Sequence, residues 1–135
     1  MEKKKILVVD DEMDMRIFMK TLFETGGYLP TIAKNGKEGL EKAKTISPDL
    51  IVLDVMMPGE GGVYMYRELR SDENLKKIPV IMLSGVGKKS FFHYLKMLNI
   101  RIEDQVIPEP EAYLEKPPDP GELLKIARSI LEKNP

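Results

Sequence analysis

The 135-residue chain contains no cysteine, no tryptophan and a single histidine. Without thiols there is no disulfide framework, no thiolate-bound zinc or iron–sulfur cluster, and no cysteine nucleophile. The lone histidine, His93, cannot build a multi-histidine zinc site and reads as an ordinary surface or boundary residue. No stretch approaches the roughly 18 apolar residues that a membrane-spanning helix needs. The opening MEKKKILVVDDE has too short an apolar run for a signal peptide. A cytoplasmic protein with no membrane insertion is expected. Charge of one sign is also missing, since 21 Lys and Arg face 22 Asp and Glu. Wrapping a polyanion needs a basic surplus or stripe, so direct nucleic-acid binding is not expected.

What the chain does have is alternation. Short apolar runs, Ile6 to Val9, Leu50 to Leu53 and Val80 to Leu83, are separated by segments of helical period. Met15, Phe18, Met19 and Leu22 place a helix over Asp14 to Thr25, stopped at Gly26 and Gly27. Tyr28 to Ala33 reads as a strand, and Pro30 within it marks an edge. After the Asn35-Gly36 turn, Lys37 to Thr45 reads as a short helix. Met56 to Gly62 is a loop, Val63 to Arg70 a third helix, and a fourth falls within Lys88 to Leu98. Tyr113 and Leu114 mark a short last strand, and the final helix begins near Pro120 with Asp119 as its cap. Strands that are apolar on both faces need helices on both sides. The expected fold is therefore an α/β doubly wound parallel sheet, forming one domain over residues 1–135.

In such sheets the reactive rim is the carboxyl end of the strands. Asp10 and Asp11 follow ILVV, Asp54 follows LIVL, Ser84 follows VIML and Lys116 follows AYLE. Any one of these alone is an ordinary turn or cap residue; all five on one rim is a different matter. Three carboxylates repel one another unless a positive charge sits among them. A hard divalent cation such as Mg²⁺, bound by Asp10, Asp11, Asp54 and a backbone carbonyl such as that of Met56, answers that need. With Lys116 and the Ser84 hydroxyl it would hold the peripheral oxygens of a phosphoryl group. Asp54 is then the candidate nucleophile for an acyl phosphate.

The motifs KKKILVVDDE (3–12), PDLIVLDVMMPGEGG (48–62), PVIMLSG (79–85) and AYLEKP (112–117) together resemble the receiver domain of bacterial two-component response regulators. The resemblance covers nearly the whole chain and implies a flavodoxin-like, CheY-like five-stranded sheet of strand order 2-1-3-4-5. It implies magnesium bound by Asp10 and Asp11, with Asp11 the more direct ligand, and by the Met56 carbonyl. Phosphorylation is implied at Asp54, a phosphate-binding lysine at Lys116, and a cis peptide between Lys116 and Pro117. Ser84 and Tyr113 match the family's switch pair, in which the hydroxyl moves to the phosphoryl group and the ring turns inward. A tyrosine packing its ring on the last helix is the alternative for Tyr113. The implied partners are a sensor histidine kinase or histidine phosphotransfer protein and an unnamed downstream protein, with a homodimer on activation also allowed. No output domain is expected to follow, so the signal would pass by protein contact or phosphorelay.

One departure stands out. From Ser84 to Lys116 is 116 − 84 = 32 positions, more than a compact receiver uses, and the excess lies in Asn99 to Glu111. This resembles a subgroup with an extended loop before the last strand. Two rival functions are a receiver-like module that binds its partner without phosphorylation and a Mg²⁺-dependent phosphohydrolase with an aspartyl nucleophile. The hydrolase needs a second acid two residues beyond the nucleophile, where this chain has Met56. The protein is thus expected to show no steady turnover of p-nitrophenyl phosphate. Continuous product release, abolished by Asp54→Ala, would restore the hydrolase reading.

Overall fold

A computed structural model describes residues 2–55, 61–85, 87, 89, 101–102, 105–106 and 109–133. Its elements run β1 (Lys5–Val9), α1 (Met13–Thr25), β2 (Leu29–Ala33), α2 (Gly36–Ile46), β3 (Leu50–Asp54), α3 (Gly62–Ser71) and β4 (Val80–Ser84). Then come β5 (Arg101–Ile102), β6 (Gln105–Val106), β7 (Ala112–Glu115) and α4 (Pro120–Lys133). Five strands form one parallel sheet in the order β2-β1-β3-β4-β7. With β7 as its fifth strand, this is the expected flavodoxin-like order 2-1-3-4-5.

The period of two along each strand divides the core between the two faces. Ile6, Val8, Leu50, Val52, Ile81 and Leu83 point to the side where Met19 and Phe23 of α1 and Leu123, Ala127 and Leu131 of α4 pack. Leu7, Val9, Ile51, Leu53 and Met82 point to the other, against Ala43 of α2 and Met65, Tyr66 and Leu69 of α3. All of these side chains are essentially sealed from solvent. That is why β1, β3 and β4 are apolar without alternation.

Local signals behave as their chemistry requires. Asn35 Oδ1 accepts the Glu38 N–H at 2.8 Å and Asp119 Oδ2 accepts that of Glu122 at 2.8 Å, capping α2 and α4. At the end of α1 the left-handed conformation falls on Gly27 (φ 92°), whereas Gly26 stays right-handed (φ −76°). Strands β3 and β4 run one residue beyond their apolar cores, so Asp54 and Ser84 are themselves the last strand residues.

The stretch 99–111 holds a two-stranded antiparallel ladder, β5 with β6, which its composition did not announce. Of the helix expected within Lys88 to Leu98, only Lys89 falls among the described residues, and it is helical. Among the described residues no helix is long and apolar enough to cross a membrane.

At the β2 edge, odd-numbered residues face β1: Leu29 N–H donates to the Lys4 carbonyl and the Ala33 carbonyl accepts from Asp10. Pro30 and Ile32 therefore turn their main-chain groups outward. Pro30 has no N–H to offer, and the outward Ile32 carbonyl is taken by Lys42 Nζ at 2.7 Å.

The first residue of α3 sits directly on the end of β3. A Cβ at Gly62 would meet the Asp54 carbonyl oxygen and Val55 Cα, and would lie 2.9 Å from the Asp54 carbonyl carbon. All three are backbone atoms, so a rotamer change cannot make room. Gly62→Ala is expected to cost about 2–3 kcal/mol by urea unfolding. Gly121→Ala, whose Cβ would meet only Asp119 Oδ2 at 3.4 Å, is expected to be neutral or slightly stabilising.

Candidate functional site

Four adjacent strands bring the site residues together. Asp10 follows β1, Asp54 ends β3, and Ser84 ends β4; all three are buried. Lys116 follows β7, fixed by its N–H to the Ser84 carbonyl at 2.8 Å. The Lys116–Pro117 peptide is cis.

The Lys116 ammonium is the centre of the arrangement. Its Nζ lies 2.6 Å from Glu12 Oε1, 3.0 Å from Asp10 Oδ2 and 3.1 Å from Asp54 Oδ2. Burial alone would pull its pKa down. The carboxylates of Glu12, Asp10 and Asp54 outweigh that and hold it well above the ordinary lysine range.

Asp10 is the most enclosed carboxylate. Its Oδ1 accepts the Glu12 N–H at 2.9 Å, and its carbonyl accepts from Arg16 Nη1 at 2.9 Å. Among the described residues, Oδ2 is buried without a directed hydrogen bond. Lys116 is near enough to form an ion pair with it, but stands off the hydrogen-bonding direction. Loss of hydration raises the Asp10 pKa, against the pull of the Glu12 amide and Lys116.

Asp10, Asp11, Glu12 and Asp54 each place a carboxylate oxygen within 4.8 Å of the others. The set is of the kind that holds a metal ion: hard oxygen donors, two exposed and two buried, one of them with an oxygen lacking a directed hydrogen bond. Asp10, Asp11 and Asp54 are thus brought together as the sequence proposes. Met56, proposed to contribute its carbonyl, lies outside the described residues. Glu12 was not singled out from sequence, although it makes the shortest contact with Lys116. The available signal was a third consecutive acid after β1.

On the other side of Asp54, the Ser84 and Tyr113 side chains are hydrogen-bonded to each other. Tyr113 is half-buried and packs toward the α2/α3 side of the sheet rather than on α4. Its hydroxyl pKa is raised by burial, with the Ser84 hydrogen bond opposing the shift.

The fold agrees with the comparisons to known proteins. The sequence model of the response regulator receiver domain matches residues 6–128, and the chain belongs to that family. It is 35% identical over 131 residues to the alkaline phosphatase synthesis transcriptional regulatory protein PhoP of Bacillus subtilis, covering 97% of this chain and 50% of PhoP. It is 32% identical over 130 residues to the phosphate regulon transcriptional regulatory protein PhoB of Pseudomonas aeruginosa, covering 96% and 52%. The chain thus spans about half the length of these relatives. Among solved structures, the receiver domain of the Francisella response regulator 1452 superposes with a TM-score of 0.79 at 30% identity, over 98% of this chain and 100% of that one. Vibrio cholerae CheY4 superposes at 0.79 with 26% identity, over 96% and 99%.

The site stores like-charge repulsion in a dry place. Asp10→Asn keeps the shape and an oxygen for the Glu12 N–H while removing a buried charge from beside Asp54. In buffer freed of divalent cations at neutral pH, the variant is expected to be more stable than wild type by about 1 kcal/mol. A higher midpoint in urea would show it; a lower one would mean that the Lys116 pairing outweighs the repulsion.

Proposed function

We propose that the chain is a phosphorylation-dependent signalling switch whose phosphoacceptor is Asp54. The supporting observation is the position of that carboxylate: buried, at a strand end, with Lys116 Nζ 3.1 Å from one oxygen and three further acids at the same rim. In the reaction, an Asp54 oxygen forms a bond to phosphorus while the P–N bond of a donor phosphohistidine breaks. The imidazole leaves and takes its proton from solvent. Lys116 neutralises charge on the transferring group and on the acyl phosphate. Ser84 offers its hydroxyl to a phosphoryl oxygen, exchanging its bond with Tyr113 for one to the new ligand.

Asp10, Asp11, Asp54 and the Met56 carbonyl are the proposed Mg²⁺ ligands, with Glu12 close enough to join them. The ion would supply charge neutralisation for phosphoryl transfer. Slow hydrolysis of its own acyl phosphate is the only further chemistry assigned to the site. The proposed donor is a sensor histidine kinase or a histidine phosphotransfer protein in the cytoplasm. Residues 1–135 act as one receiver unit, with output through a protein partner or phosphorelay. The switch itself is a population shift: phosphate contacts made by Ser84 and Lys116 favour one arrangement of β4 and β7 over another.

The test is intact mass after incubation with acetyl phosphate, with and without Mg²⁺. Wild type is expected to gain one phosphoryl group only when the metal is present, and Asp54→Ala to gain none. No adduct, together with no binding of beryllofluoride, would leave the phosphorylation-independent binding module as the better reading.

A further inference from the structure

Arg70, at the end of α3, has a side chain only 5% exposed, yet it lies far along the sheet from the acidic rim. Its guanidinium makes four hydrogen bonds. Nε donates to the Tyr66 hydroxyl at 3.2 Å, and Nη1 to the carbonyls of Lys76 at 3.0 Å and Ile78 at 2.8 Å. Nη2 donates to Glu111 Oε1 at 3.0 Å, and the guanidinium carbon stands 4.8 Å from the Tyr66 ring centre. One side chain thus binds the lead-in to β4, through Lys76 and Ile78, and the lead-in to β7, through Glu111.

Glu111 completes the connection. Its N–H donates to the Val80 carbonyl at 3.0 Å, and the same Oε1 that meets Arg70 accepts the Val80 N–H at 2.7 Å. Both main-chain groups of the first β4 residue are therefore taken by one residue, and β7 begins at the next position.

Strand β7 needs such a fixture. It is four residues long, lies at the sheet edge, and has no fully buried side chain. Strand register is specified by burial of one face, and here that signal is weak. It also follows the unusually long crossover whose end is Glu111. A slip of one residue would turn Tyr113 to the opposite face, away from Ser84, and carry Lys116 about 3.3 Å along the sheet. Either displacement would dismantle the cluster around Asp54.

We propose that Arg70 and Glu111 form a register key for β7. They are positioning residues that set Lys116 and Tyr113 against the acidic rim without touching the reacting atoms. The functional half of this inference rests on the phosphoacceptor reading above; the structural half does not.

Two measurements on Glu111→Ala and Arg70→Met test it. At saturating acetyl phosphate, the phosphorylation rate should fall about tenfold or more, the scale of loss expected from a misplaced catalytic group. The Mg²⁺ concentration giving half-maximal rate should not rise, because Asp10, Asp11 and Asp54 are not on β7. Amide hydrogen exchange should show the Lys116 N–H losing protection about tenfold or more while Val52, in central β3, keeps its own. Wild-type rates and wild-type Lys116 protection would overturn the proposal. So would a parallel loss of Mg²⁺ affinity and Val52 protection, which would mark a general loss of folding. Should either variant fail to fold, Glu111→Gln, which drops the charge but keeps an oxygen, is read by the same difference between Lys116 and Val52. If wild type itself takes up no phosphoryl group, the phosphoacceptor reading fails, and the exchange comparison alone decides the register key.

Discussion

The site depends on one ammonium group placed among carboxylates that would otherwise repel one another. Lys116 reaches Glu12, Asp10 and Asp54 at once, at distances of 2.6–3.1 Å. Each acid arrives from a part of the chain that folds for other reasons: Asp10 and Glu12 from the turn after β1, Asp54 from the end of a wholly apolar strand. Water is largely excluded from Asp10 and Asp54, so the charges feel each other more strongly than they would at a surface. An extra positive charge is welcome at this rim, and so is any change that moves negative charge outward onto oxygens that Lys116 can still reach.

The two sides of the rim are built differently. The acidic side grows from β1 and β3, whose residues are sealed between two helical layers. The side that would contact a phosphoryl group grows from β4, which is equally sealed, and from β7, a short edge strand with no fully buried side chain. Rigidity is thus greatest where a charge must be held in place. Mobility is most affordable on β7, where Tyr113 shares with Ser84 a hydrogen bond that either could exchange for another partner. A switch needs that asymmetry, because two arrangements must differ by only a few kcal/mol.

Much of this could be read from the sequence, for physical reasons that differ by residue. Asp10, Asp54 and Ser84 were legible because each directly follows an apolar run, and Lys116 because a single residue separates it from Tyr113-Leu114; parallel sheets gather such ends on one rim. The five-strand order followed the resemblance, and the two-sided apolar pattern of β1, β3 and β4 demanded helices on both faces. Glu12 carries no such signal, because an exposed acid beside a helix start is ordinary. The contact between Arg70 and Glu111 was invisible for a stronger reason. It joins positions 41 residues apart, and neither carries a periodic signal. The β5–β6 ladder was likewise unannounced, since two-residue strands are too short for alternation to show.

The outer edge of β2 has a consequence for assembly. One of its outward main-chain positions is proline, and a carbonyl beside it is already held by Lys42. An incoming strand would find a missing donor and an occupied acceptor where a ladder should start. Strand pairing between copies along β2 is therefore disfavoured at those two positions, and on that flank growth of the sheet is opposed by its own chemistry.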